Sequence, residues 1–279
     1  MATHLKAAAC LWACASTADA DGPARIASAD LCADAYVLAL ADREDIAAVS
    51  WQAGQIVSGA PEWVIGLPRA SGDAERLVAL DPDLVVFGPS GAGRAAPFLD
   101  AAGIAHIALG WGEDWAVIES NLETLGDALG QSPRAATLVS ELRDRREALR
   151  QRSDARPRRP SVFYLSVTGG AAGAETLVDA AIRTAGGINA AAEAGASGWL
   201  RADAEWAFRV DPDLIVTSYF VDGYVTRTDA GVRHSAFRRL LDGRPRLDVP
   251  APAWSCAGPQ LIDAAEQIAD ALDRLEPGS

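Results

Sequence analysis

The sequence predicts an α/β protein: two αβ lobes with central parallel-type sheets, joined by a single long helix, with a cleft between the lobes. Three observations predict it. First, a fourteen-residue stretch occurs twice, DAERLVALDPDLVV at 73–86 and DAEWAFRVDPDLIV at 203–216, with eight of fourteen positions identical. Second, short apolar runs alternate with helical patterns in both halves, the signature of a parallel sheet. Third, a charge-rich helical pattern of roughly 20 residues, about 30 Å long, separates the halves.

The elements follow in order. Residues 1–20 read as a signal segment: Lys6 gives positive charge, 7–15 is a short apolar run, and Ala18-Asp19-Ala20 is a small-x-small cleavage pattern. Lipid attachment at Cys14 is the alternative. The first lobe, 24–130, opens with a strand at 25–29 and a helix at 31–40 entered past Asp30. A strand follows at 46–49, and then a loop over 52–72. In the first repeat copy Asp73 caps a short helix, Asp81-Pro82 stops it, and 84–87 is a buried strand. A turn at 88–91, a helix at 97–102, a strand at 104–109 and a helix at 115–129 complete the lobe. The inter-lobe helix, 131–155, restarts at Ser132-Pro133 with proline at the first position.

The basic, proline-rich 156–160 marks the boundary to the second lobe, 158–279. That lobe opens with a strand at 161–167 and a glycine-rich turn at 169–173, which lacks the GxGxxG spacing of a nucleotide site. A helix at 176–185 and a loop at 195–200 lead into the second repeat copy, with its strand at 214–217. Then come a polar loop at 221–235, a helix at 236–241, a strand at 246–249 and an amphipathic helix at 260–275.

Composition excludes several function classes. The chain has 279 residues, almost half of them apolar, and a net charge of −13. Such a surface does not suit nucleic acid. Only three histidines occur, His4, His106 and His234, with no metal-ligand spacing. No nucleophile motif such as GxSxG or HExxH is present, so no catalytic residues, metal site or cofactor are expected. Cys32 and Cys256 lie in opposite halves. A disulfide between them would hamper lobe movement, and the reading adopted here is two buried, inert thiols.

Three of the seven tryptophans outside the first twenty residues follow predicted strands. Trp51, Trp111 and Trp254 do so, Tyr219 ends the strand of the second repeat, and Trp199 lies in the loop before it. Ligands of open α/β sheets bind beyond the carboxyl ends of the strands, so these aromatics are candidate ligand-binding residues. Arg69 is added as a loop cation, with Arg94 and Arg227 as further arginines suited to an anionic ligand.

The ordered set Arg25-Ile26-Ala27-Ser28, Ile46 to Ser50, Ala74-Glu75 with Val78 to Val86, Gly103-Ile104, and Glu205 with Asp211 to Val216 resembles a known family. It is similar to the periplasmic substrate-binding proteins of ABC importers, in the helical-backbone class that binds vitamin B12, ferric siderophores or haem. The resemblance covers roughly 24–275, although Asp30-Leu31-Cys32 stands where the family pattern has a Pro-Ser-type start. It implies a periplasmic, signal-processed transport protein, peripheral to the membrane and monomeric, that is not an enzyme. Its partners would be a metal-chelate ligand, cobalamin-like or a ferric siderophore, and the ABC permease subunits. Glu75 and Glu205 would dock on the permease. The alternatives are a haem-binding protein using Tyr164 or Tyr219 as axial ligand, and an αβ enzyme acting on a metal chelate through Asp34 or His234.

Overall fold

The computed structural model describes residues 22–202, 204–218 and 235–275. The signal segment, Asp203, Tyr219, Arg227 and His234 lie outside these residues. The first lobe runs β1 (Ile26–Ser28), α1 (Leu31–Leu40), β2 (Ile46–Ser50), β3 (Arg69–Ala70), α2 (Ala74–Ala79), β4 (Leu84–Phe87), α3 (Ala96–Ala102) and β5 (Ala105–Ala108). Its sheet has the order β3-β2-β1-β4-β5, with every neighbouring pair parallel. Two helices follow, α4 (Trp115–Ala128) and α5 (Ser132–Asp154).

The second lobe runs β6 (Ser161–Ser166), β7 (Gly170–Ala172), α6 (Leu177–Thr184), β8 (Ile188–Asn189), α7 (Ala190–Glu193) and β9 (Trp199–Arg201). It continues through α8 (Ala204–Val210), β10 (Leu214–Ser218), α9 (Ser235–Asp242), β11 (Arg246–Val249) and α10 (Leu261–Asp273). Its parallel sheet has the order β11-β10-β6-β8.

The period-2 geometry of strands decides where each side chain goes. In β4, Leu84 and Val86 enter a large core shared with the second lobe, while Val85 and Phe87 pack on the opposite face against Leu77 and Leu99. In β6, Val162 and Tyr164 face the shared core, while Phe163 and Leu165 pack on the other side with Ile215 and Leu240. The central strands β1, β4, β6 and β10 are buried on both faces, which is why they read as apolar runs. Each fully buried Leu or Val contributes on the order of 2 kcal/mol of apolar transfer.

The two repeat copies adopt one geometry. Asp81 and Asp211 both have a left-handed backbone, with φ of 48° and 46°. This is more specific than the extended conformation expected before proline, and Asp is among the few residues that tolerate it. Asp83 N–H donates to the Arg25 carbonyl at 2.8 Å, and Asp213 N–H donates to the Ser161 carbonyl at 3.0 Å. The strand register then matches, Leu84 opposite Ile26 and Leu214 opposite Val162. Asp73 caps α2 as predicted, accepting from Glu75 N–H at 3.0 Å and Arg76 N–H at 3.4 Å.

The long helix α5 is less solvated than its charge suggests. Ala135, Val139, Leu142 and Leu149 are buried along one stripe. Arg145 reaches Asp263 and Glu266 on α10, and Arg152 and Arg156 both reach Asp273. These contacts dock the C-terminal half of α5, and the turn just after it, against the second lobe.

Three readings are corrected. The turn at 169–173 and the loop at 195–200, which carries Trp199, contain β7 and β9, paired antiparallel with Ala172 opposite Trp199. Three-residue strands have no periodicity to detect. Their glycines permit close approach: a Cβ at Gly173 would sit 2.4 Å from the Ala196 carbonyl oxygen. The segment 52–72 likewise contains two 3-10 turns and β3. Finally, Cys32 and Cys256 are not free thiols but a disulfide, with Cα atoms 5.4 Å apart and a sequence separation of 224. The fold brings the start of α1 against the turn before α10, a juxtaposition that sequence spacing does not encode.

Candidate ligand-binding cleft

A cavity of about 680 Å³ lies between the lobes. From the first lobe it is walled by segments that follow four strands: Leu31 and Cys32 after β1, Gln52 and Val57 after β2, Pro89 after β4, and Trp111 to Glu113 after β5. From the second lobe come Tyr164 and Ser166 on β6, Thr168 and Gly170 after it, Leu177 at the start of α6, Trp199 and Leu200 on β9, and Trp254 to Ala257. The carboxyl ends of the first sheet therefore face the aromatic side of the second.

Local structure fixes these groups. Asp30 caps α1, accepting from Cys32 and Ala33 N–H at 3.0 Å each, and also accepts from Gly88 N–H at 2.7 Å. Gly88 is required there, since an added Cβ would lie 2.3 Å from the Asp30 carboxylate. The departure at Asp30-Leu31-Cys32 thus ties α1 to the end of β4 and presents Leu31 and Cys32 to the cavity. Tyr164 is 2% exposed and makes edge contacts with Trp199 and Trp254, at ring-centroid distances of 6.0 and 5.7 Å. Such edge-to-face geometry is favourable for aromatic quadrupoles.

Glu113 crosses the cleft. Its carboxylate accepts from the Trp199 indole N–H at 2.9 and 3.0 Å and from the Leu177 backbone N–H at 3.0 Å. The Tyr36 hydroxyl donates to the Ala257 carbonyl at 2.7 Å, and the Ser255 hydroxyl donates to the Val57 carbonyl at 2.7 Å. With the disulfide, these bonds join the lobes around the cavity.

Among the sequence-predicted residues, Trp111, Trp199 and Trp254 come together on the cavity wall. Trp111 is 76% exposed and Trp199 50% exposed, leaving broad apolar surface available. Trp51 is exposed but is not part of this wall, although its neighbour Gln52 is. Arg69 sits on the edge strand β3, away from the cavity, with Nη1 buried. Tyr219 lies outside the described residues. Sequence reasoning missed Glu113, Tyr164 as a wall residue of the aromatic trio, and the disulfide. The position of Glu113, directly after Trp111 beyond a strand, was the available signal.

Glu75 and Glu205 are both exposed on their repeat helices. Asp34 is a structural group: it accepts from the Ser50 N–H at 2.9 Å and from the Ser50 hydroxyl, and burial raises its pKa. Among the described residues, no group of three or more His, Cys, Asp or Glu could hold a metal ion, and no helix is long and apolar enough to cross a membrane.

The comparisons agree with this geometry. The family model described as "Periplasmic binding protein" matches residues 26–224. A "Cobalamin-binding protein" of Halobacterium salinarum is 30% identical over 207 residues, covering 72% of this chain and 55% of that protein. The chain therefore spans little more than half the length of this curated relative. The periplasmic heme binding protein HutB of Vibrio cholerae superposes with a TM-score of 0.74 at 19% identity, over 89% of this chain and 98% of HutB. The periplasmic vitamin B12 binding protein BtuF of Vibrio cholerae gives 0.66 at 20% identity, over 90% and 97%. At these identities the likeness to the two structures is one of fold. With its two parallel-sheet lobes, long connecting helix and matching family model, the chain belongs to the periplasmic binding protein family.

Proposed function

We propose that this protein is the extracytoplasmic solute-binding component of an ABC importer. It captures a metal chelate, cobalamin-like or a ferric siderophore, and delivers it to the permease; it is not an enzyme. The observation that carries this reading is the inter-lobe cavity with Trp111, Trp199, Trp254 and Tyr164 on its wall. Flat aromatic surface on both sides suits a broad, flat ligand. The described wall offers one carboxylate and no histidine, a poor donor set for a bare divalent ion.

The protein works as a monomer outside the cytoplasmic membrane, its N-terminal segment either removed or, as the alternative, lipid-anchored through Cys14. The Cys32–Cys256 disulfide supports an oxidising compartment. Glu75 and Glu205, one on each repeat helix, meet the permease; exposed charges of this kind steer encounter and fix register. Haem capture is the alternative ligand reading. It would use Tyr164 or Tyr219 as axial ligand; Tyr164, buried between two tryptophans, is a poor open donor.

Tryptophan-fluorescence titration with cyanocobalamin, hemin, ferrioxamine B and Zn²⁺ tests the reading. Saturable quenching by at least one chelate is expected. A response to Zn²⁺ alone would overturn it.

A further inference from the structure

The charge pattern of the cavity narrows the ligand further. Resting on the function proposed above, we propose that Glu113 makes the cleft selective for chelates whose side arms are amides rather than carboxylates. Among the described residues of the wall, Glu113 is the only charged side chain. The other polar side chains there, such as Gln52, Ser166, Thr168 and Ser255, are neutral.

Glu113 is not free to swing away from an incoming ligand. The Trp199 indole N–H, shared between both carboxylate oxygens, and the Leu177 N–H hold it across the cleft. Those bonds leave lone pairs on a carboxylate that has about four acceptor positions. A carboxylate arm brought beside it meets a like charge and another acceptor-only group. An amide arm brings N–H donors instead.

Nearby arginines do not offset this. A second groove adjoins the cavity at Trp111, Glu113 and Trp199 and contains Arg143, Arg146, Arg150, Arg159 and Arg183. Arg143 and Arg146 are both bonded to Glu119, Arg150 to Glu147 and Asp154, and Arg159 to the Gly186 and Gly187 carbonyls, while Arg183 lies 3.7 Å from Asp179; none of the five is on the described wall of the cavity itself. The net charge of −13 adds a field that opposes polyanions at long range.

The test compares two ligands that share a corrin ring. Dicyanocobinamide carries amide arms, and dicyanocobyrinic acid carries carboxylates. Affinities are measured on the full chain by fluorescence and calorimetry at pH 7.5, with hemin and ferric citrate as further carboxylate-bearing probes. Dicyanocobinamide is expected to bind at least 30-fold more tightly than the acid. Glu113→Gln keeps an acceptor for Trp199 and Leu177 and should shrink that ratio at least tenfold, mainly by tightening the acid. Raising the ionic strength should narrow the wild-type ratio in the same direction. Equal affinities, a ratio unchanged in Glu113→Gln, or tighter binding of hemin or ferric citrate overturns the selectivity and leaves chelate capture standing. No response to any chelate overturns both.

Discussion

Replacing Cys32 and Cys256 by serine, or reducing the wild type, should lower stability by an amount the topology sets. The disulfide closes a loop with a sequence separation of 224. In the chain-entropy model this removes about 18 cal/mol/K from the unfolded state, or about 5 kcal/mol at 25 °C. For a chain of this length the corresponding fall in melting temperature is roughly 10 °C. Differential scanning calorimetry of the full chain with and without reductant measures it, and thiol titration must show two additional thiols in the reduced sample. The double serine variant should melt with the reduced wild type and be insensitive to reductant. Because the bond joins the start of α1 to the turn before α10 beside the cavity, its loss should also separate the two lobes into distinct transitions. An unchanged melting temperature, with two additional thiols titrating, would refute the reasoning.

Three further outcomes are expected. Trp111→Ala and Trp254→Ala should each weaken chelate binding about tenfold or more, about 1.4 kcal/mol, read by calorimetry; unchanged affinity in both moves the site elsewhere. Glu75→Arg with Glu205→Arg should impair uptake in cells while leaving chelate affinity within about twofold, because charges of this kind set encounter rather than ligand affinity; unchanged uptake removes the docking role. The third concerns Asp213. Burial alone would raise its pKa, but bonds from Arg158 and Ser161 outweigh burial and hold it below the ordinary 3.8. Its native pKa is thus below its unfolded one, so its stabilisation is present above the unfolded value and fades as pH falls through the native value. Arg158→Ala should lower stability modestly in urea unfolding at pH 7, because the pair is solvent-screened, and by progressively less as pH falls below the ordinary carboxylate range. A cost independent of pH would show that the guanidinium acts by packing alone.

What was legible in the sequence was what local chemistry determines. The Asp-Pro-Asp of each repeat copy announces a helix stop and a buried strand, and the matching left-handed Asp81 and Asp211 show why both copies kept the same residues. Runs such as 84–87 and 161–165 show two-sided burial because neither face meets water. Trp111, Trp199 and Trp254 could be found from the rule that ligands gather beyond strand ends. That rule names a strand end but not the direction of a side chain. Trp51 and Gln52 are adjacent at the end of β2, yet Gln52 lines the cavity and Trp51 does not. Arg69 looked like a loop cation and is instead on an edge strand. The cross-lobe partners of Glu113 and Cys32 could not be read at all, because their contacts depend on how the lobes meet.

The way the lobes meet also limits how the cleft can work. The disulfide, the Glu113 bonds to Trp199 and Leu177, and the Tyr36 and Ser255 bonds all cross between lobes beside the cavity. The C-terminal half of the long helix α5 adds ion pairs from Arg145 and Arg152 to α10. A wide hinge opening would have to break several of these at once, and the covalent one does not break without reductant. Ligand entry must then use side-chain movement and small lobe adjustments around a largely preformed site. Preformation lowers the ordering cost of binding, so affinity can come from a few aromatic contacts and one fixed carboxylate. Under the proposed function, release from a cleft that does not open by itself would need a partner that draws the lobes apart. The docking role proposed for Glu75 and Glu205, one exposed glutamate on each repeat helix, fits that demand.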